Sequence, residues 1–310
     1  MPQGLSRRRR GLIGGLLLAL PCVLAGPDPA LDPERVARGE LVLRAAGCAA
    51  CHTDPEDPEA FLAGGRALET PFGTFHAPNI TPDPEHGIGR WRVHDLDHAL
   101  RHGRAPDGSA YFPVLPFTSY TRMSTEDLAA LWAYLVTRPA VSRPNRPHDL
   151  PWWLRWRGLA TLWQWLYFDA ERFEPDPKRD ARWNRGAYLV EALAHCAECH
   201  SPRTWLGAID EGRRFAGTRS GPEGKPVPNI TPDRETGIGR WSVSDLAYYL
   251  ETGMDPDGDF AGGLMAEVID SGIGHLPPED LEAIAVYILS LPPIRHAVDS
   301  GSEDQRDEFD

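Results

Sequence analysis

The chain has 310 residues, 41% hydrophobic and 25% charged, the balance of a folded soluble protein long enough for two domains, and not that of a disordered chain. Its net charge of −13 argues against a nucleic-acid partner, because such a surface repels polyanions and favours a partner with a basic docking face. Thirty prolines and thirty glycines indicate loop-rich domains, and ten tryptophans suit small domains built around a flat apolar cofactor as well as a plain aromatic core.

The N-terminus carries Arg7 to Arg10 and then an uncharged apolar run from Gly11 to Gly26. A positive region followed by a short apolar one is the pattern of an export signal, with Val23–Leu24–Ala25 as a small-residue cleavage site. The run is short for a membrane span, so residues 1–25 read as a removed signal peptide, with a retained N-terminal anchor as the other option. Removal takes away four arginines and no acid, leaving a net charge of −17. The expected location is therefore periplasmic, with membrane association as a variant.

Pro33 to Ala46 reads as a helix, with Val36, Leu41 and Leu43 among its apolar residues. A proline-bounded loop follows, and then Ser124 caps a helix running to Thr137, with Asp127 placed as in a capping box. Leu128, Leu131, Trp132 and Leu135 give that helix its apolar stripe. Residues 141–180 form a linker rich in proline and tryptophan, including Trp152, Trp153, Trp156, Trp163 and Trp165. Part of it is expected to be a short amphipathic helix filling the seam between two domains, and a membrane or partner contact is the sharper alternative. A second helix spans Asn184 to Ala194, and a last one runs from Glu279 to Leu291, where Pro292 and Pro293 stop it. No segment alternates as a strand. The acidic, polar residues 297–310 read as a disordered tail.

Five cysteines are present. Cys22 falls in the signal, and the other four form two pairs, Cys48–Cys51 and Cys196–Cys199, each followed at once by a histidine, His52 and His200. This is the signature of covalent haem attachment. Two thiols separated by two residues reach the two vinyl groups of a porphyrin, and the next residue brings its imidazole beneath the iron. A disulfide, a four-cysteine zinc site or a thioredoxin-like pair leaves both histidines unexplained.

The chain is also written twice. Residues 78–91 (PNITPDPEHGIGRW) and 228–241 (PNITPDRETGIGRW) match at twelve of fourteen positions with an offset of 150, and the cysteine motifs lie 148 apart. Each half thus holds a motif, a proline-bounded loop and a closing helix.

Methionine opposite histidine is a common sixth ligand in cytochromes. The chain contains four methionines. Met265 is expected on the second iron, in an irregular stretch before the last helix. Met254 aligns with Arg104 and is a spare. In the first half the repeat places Leu115, which cannot bind iron, opposite Met265. Met123 is the first-half candidate, with His76, His94, His98, His102 or an open iron as alternatives. In the repeated loops, Asn79, Thr81, Arg90 and Trp91, with Asn229, Thr231, Arg240 and Trp241, are candidate partners for haem propionates. Merely shaping the turn is the competing role.

On the cysteine motifs, both PNITPD–GIGRW stretches, Trp183–Glu191 and Met265–Val268, the chain resembles the multi-haem cytochrome c subunits of membrane-associated dehydrogenases, of the alcohol, gluconate and sorbitol type and of the nicotinate and aldehyde type. The resemblance implies a mainly α fold of two tandem class I cytochrome c domains with long loops, residues 34–140 and 181–296, joined by the Trp/Pro-rich linker. It implies two covalent haems c and a role as a periplasmic electron relay, not an enzyme, from a dehydrogenase partner to quinone, another cytochrome or a terminal oxidase. Leu115 departs from the pattern of some relatives. The competing function is a peroxidase-like dihaem enzyme, which needs one open or displaceable iron site. Replacing Cys48 and Cys51 by alanine is expected to halve the covalent haem stain while sparing the second site. A full stain in that variant contradicts the assignment.

Overall fold

The computed structural model describes residues 32–298; the expected export signal and all but the first two residues of the acidic tail (297–310) lie outside them. The described chain is mostly helical, with long loops and one two-stranded sheet. Its first helix, α1 (Pro33–Ala45), starts on Asp32, whose carboxylate accepts from Glu34 N, with proline in the first turn where no amide hydrogen is needed. The first cysteine motif is itself one helical turn, α2 (Cys48–His52). After a loop come β1 (Ala67–Thr70) and β2 (Gly73–His76), an antiparallel hairpin in the register Ala67↔His76 and Thr70↔Gly73. The hairpin corrects the expectation of no strand. Ala-Leu-Glu-Thr and Gly-Thr-Phe-His each carry a single large aliphatic or aromatic apolar residue, so neither shows an apolar alternation in sequence; a Thr70 hydroxyl donates to Gly73 O at 2.7 Å across the turn.

The helices α3 (Val93–His102), α4 (Phe117–Tyr120) and α5 (Thr125–Val136) complete the first half. Ser124 caps α5 through Asp127 N, but the reciprocal arm of the expected capping box is absent. The Asp127 carboxylate instead accepts from Arg38 Nε at 2.7 Å and from the Tyr188 hydroxyl at 2.5 Å. A buried carboxylate is stabilised more by such charge-assisted bonds than by an exposed cap.

The second half repeats the plan. It has α7 (Ala181–Tyr188) continued by a π-helical stretch Leu189–Leu193, α8 (Ala197–His200), α9 (Val243–Thr252), α10 (Gly263–Ser271) and α11 (Pro278–Leu289). Within each half the first and last helices cross at a glycine. A Cβ on Gly39 would fall on the carbonyl of Ala130, and one on Gly186 on that of Ala283. The crossings are pinned at equivalent points by Arg38–Asp127 and by Arg185–Asp280, the latter with two bonds of 2.8 and 2.7 Å.

The two halves are not separate globules. One apolar cluster runs through both, including Leu43 and Leu131 from the first and Leu189, Leu193, Ile269 and Ile284 from the second. A cavity of about 200 Å³ lies at this seam, between α1 and the π-helical stretch, and no motif cysteine or histidine lines it.

The helix α6 (Gly158–Tyr167) touches both halves, with most of its contacts on the first. Ala160 joins a satellite core with Phe75, Ala110, Phe112 and Leu150, and Gln164 donates to Gly103 O at 2.9 Å, while Trp163 Nε1 donates to Leu206 O of the second half at 2.9 Å. The linker backbone also pairs with β2, Thr74 N donating to Asp149 O and Asp149 N to Thr74 O. The remaining surface of α6 and its approach is open: Trp152, Trp156 and Trp165 are 83%, 69% and 79% exposed. No described helix is long and apolar enough to cross a membrane.

Gly39→Ala and Gly186→Ala test the crossings. Each drives a methyl group into a backbone carbonyl and is expected to cost roughly 2 kcal/mol or more, read as a lower thermal midpoint of the protein. Unchanged midpoints would show that the helices separate freely.

Candidate functional site

A single helical turn places Cys48, Cys51 and His52 on one face, since positions three and four apart are neighbours on a helix. Gly47 precedes it in a left-handed conformation, φ 62°. In the second motif the equivalent residue is His195, also left-handed at φ 43°, followed by Cys196, Cys199 and His200. A left-handed histidine is strained, and its ring is held in place: His195 Nε2 lies 3.3 Å from Ala46 O, across the seam.

The two motif histidines are oriented identically. His52 Nδ1 lies 2.7 Å from Pro78 O, and His200 Nδ1 lies 2.8 Å from Pro228 O. A carbonyl can only accept, so Nδ1 carries the proton and Nε2 presents its lone pair, as a metal-ligating imidazole requires. Burial pushes both imidazoles down from the ordinary histidine value, against the opposing pull of the prolyl carbonyls, which keeps them neutral. The prolines are the first residues of the repeated PNITPD loops. Sequence reasoning misses their carbonyls as functional groups, although their place, 26 and 28 residues beyond the two histidines, is visible there.

The four motif cysteines are unbridged. Burial pushes Cys48 and Cys196 up to about 12 and Cys199 to about 11, and it raises Cys51 despite Arg66 beside it. A redox-active pair needs a thiol brought down by a helix N-terminus or a cation; these thiols are shifted the other way. A zinc cluster is not assembled either, for no group of three or more metal-binding side chains converges among the described residues. Paired unbridged thiols on one turn, with a neutral imidazole offering Nε2, fit an iron porphyrin joined through sulfur.

The loops behind the motifs are stapled internally. Asn79 Nδ2 donates to Val141 O at 2.7 Å and Arg143 O at 3.3 Å, while its Oδ1 accepts from the amide and hydroxyl of Thr81. Asn229 does the same with Ile294 O, Thr236 and Thr231. Both amides are thus committed within the protein. Trp91 and Trp241 are half-buried against the core, and Arg90 and Arg240 are exposed, the latter donating to Arg234 O.

The two motifs lie close to one another because each half leans on the motif of the other. From the first half, the Thr118 hydroxyl donates to Glu198, inside the second motif, at 2.7 Å. From the second half, Glu267 on α10 pairs with Arg66, which also donates to Ala50 O inside the first motif at 2.8 Å. Burial works to raise the Glu198 carboxyl, but Arg203 alongside and the bonds from Thr118 and Arg203 hold it below the usual range. The Tyr120 hydroxyl donates to Ala46 O at 2.6 Å, the carbonyl that His195 also approaches.

Met123 is fully buried in the shared core, with its carbonyl accepting from Arg101 at 2.7 Å. Met265 is half-buried and lies on the regular helix α10, not in the irregular stretch expected. Two glycines in front of it give no helical signal, and packing against α2 and α9 supplies what propensity does not. His94, His98 and His102 line one side of α3 in tilted and edge-on contact, with ring centroids 4.0 and 5.3 Å apart. The His76 ring is 3.7 Å from Asp149.

No family model matches the chain. It is 43% identical over 301 residues to a diheme cytochrome c-type protein of Cereibacter sphaeroides, covering 92% of this chain and 99% of that one. It is 39% identical over 269 residues to the fructose dehydrogenase cytochrome subunit of Gluconobacter japonicus, covering 86% of this chain and 54% of the relative. It is also 36% identical over 287 residues to the gluconate 2-dehydrogenase cytochrome c subunit of Pantoea cypripedii, covering 89% of this chain and 64% of that protein. The chain thus spans nearly all of the first relative, but only 54% and 64% of the two dehydrogenase subunits.

Asn79→Ala separates loop stapling from propionate binding. Losing the buried amide is expected to destabilise the protein by about 2 kcal/mol with haem content retained. A normal thermal midpoint with a shifted reduction potential would return Asn79 to the propionates.

Proposed function

Because the chain belongs to the diheme c-type cytochromes, a family with relatives among the cytochrome c subunits of dehydrogenases, we propose that it carries two covalent haems c and relays electrons between a dehydrogenase and a downstream acceptor in the periplasm. Its relatives are electron-transfer components and not catalytic subunits, and this chain is an electron-transfer protein of the same kind.

The observation that carries the two-haem reading is the matched pair of imidazole–prolyl contacts, His52 to Pro78 and His200 to Pro228. Cys48 and Cys51 hold one haem and Cys196 and Cys199 the other, with His52 and His200 as proximal ligands. Met265 is the sixth ligand of the second. Each haem supplies a one-electron iron couple. The protein orients the ligands, keeps their rings neutral and sets both motifs in a common apolar core. Residues 34–140 and 181–296 are the two class I cytochrome c domains, and 141–180 the linker between them. Trp91 and Trp241, with Arg90 and Arg240, are the propionate partners.

Donor and acceptor are proposed by chemistry. The donor is a dehydrogenase releasing electrons singly from a flavin, quinone or iron–sulfur centre, and the acceptor is quinone, another cytochrome or a terminal oxidase. The N-terminal segment or the exposed tryptophans of the linker give membrane association. Mass spectrometry of the exported protein is expected to show the polypeptide plus two haems, and a potentiometric titration two one-electron steps. A colourless protein of bare polypeptide mass would falsify the reading.

A further inference from the structure

On either side of the candidate sixth ligands the two halves match bond by bond; between the two frames the second half carries α10 where the first has a turn and the short α4. From the end of α3 and of α9 the backbone follows the same path at an offset of 150. Ala105 N donates to Ser109 O at 2.9 Å, and Asp255 N to Asp259 O at 2.8 Å. Tyr111 N donates to Gly103 O, and Ala261 N to Gly253 O, both at 2.8 Å. The bridges Arg104↔Ala110 and Met254↔Phe260 match as well. Four residues beyond the last shared bond, the second half has Met265 and the first has Leu115. Both are half-buried.

On the other side the register is set by the closing helices, which begin at Thr125 and Pro278, an offset of 153. Counted from there, Met123 matches Leu276. The bonds agree: Met123 N donates to Tyr120 O at 2.9 Å, and Leu276 N to Ile273 O at 3.0 Å. Both side chains are buried in the shared core, at 0% and 5% exposure. The second half is three residues longer between these two positions, and this is why a constant offset misaligns Met123. Met123 therefore fills the place of a core leucine, and a leucine fills the place of the ligating methionine.

Among the described residues, His195 beside the first motif is held on Ala46 O, and the histidines of α3 and the hairpin have neighbours of their own. His94, His98 and His102 contact one another in tilted and edge-on pairs along α3, with His94 and His98 exposed. His76 lies in the hairpin, beside Asp149 and with its amide donating to His148 Nδ1. The first half contains no lysine. We propose that the first haem has no sixth ligand from the protein, and that this position is a binding site for a small exogenous ligand of iron, such as carbon monoxide, nitric oxide or cyanide. A leucine there leaves a hydrocarbon wall, which cannot coordinate iron and which suits small, weakly polar ligands.

The inference rests on haem attachment at Cys48, Cys51 and His52, and the test separates the two. The full exported chain is first weighed, and two haems confirm attachment. Its oxidised spectrum is expected to combine one high-spin haem with one low-spin haem bearing the methionine-to-iron charge-transfer band. After reduction it should take up one equivalent of carbon monoxide rapidly. Leu115→Met, a swap of similar volume, is expected to double the charge-transfer band and abolish rapid uptake. Met123→Leu is expected to change neither. A mass with one haem, at Cys196 and Cys199, would overturn the attachment and this inference together. Two haems, both low-spin before any substitution, or a band lost in Met123→Leu, would overturn this inference alone.

Discussion

Everything in this molecule is referred to a glycine-mediated helix crossing made twice. At Gly39 and Gly186 the opening helix of each half lies directly on the backbone of the closing helix, closer than any side chain allows. An arginine–aspartate pair locks each crossing near its glycine. The opening helix then leads straight into the Cys-x-x-Cys-His turn, so the angle of the crossing determines where the thiols and imidazole stand. The loop that returns the prolyl carbonyl to that imidazole is anchored in turn to the chain just beyond the closing helix, at Val141 in one half and Ile294 in the other. Imidazole orientation is therefore a property of the whole half and not of the five-residue motif.

How much of this is legible in the sequence depends on the range over which each signal acts. The motif, the duplicated loop and the helix limits near Pro33, Ser124 and Leu291 are local patterns, and they are read without difficulty. The prolyl carbonyls are half local: the loop is visible, but backbone oxygens carry no residue signature. The hairpin at residues 67–76 is invisible because each strand carries only one large apolar residue, Leu68 or Phe75, and owes its place to the linker and a satellite core. The register of Met123 is lost for another reason. An insertion of three residues between two matching frames cannot be located by a single offset, and the hydrogen bonds on either side are needed to place it.

The seam is the least predictable part. A duplicated sequence suggests two beads on a string, yet Asp127 gives up its cap to bind Arg38 and Tyr188, and Glu198 and Glu267 each reach to the opposite half. None of these contacts follows from propensity, because each joins residues that are distant in sequence and polar in character. The two halves also meet at Ala46, whose carbonyl is approached by both Tyr120 and His195. A strained left-handed histidine where the first half has glycine is the clearest mark that the duplicated units have diverged to suit each other.

The shared apolar cluster has a mechanical consequence. Cutting the chain within the linker would not release two stable pieces, since each would expose the leucines and isoleucines that it buries against the other. Heat or denaturant should accordingly melt both halves in a single cooperative step, despite their tandem ancestry. The sequence is written twice, but the apolar core is one.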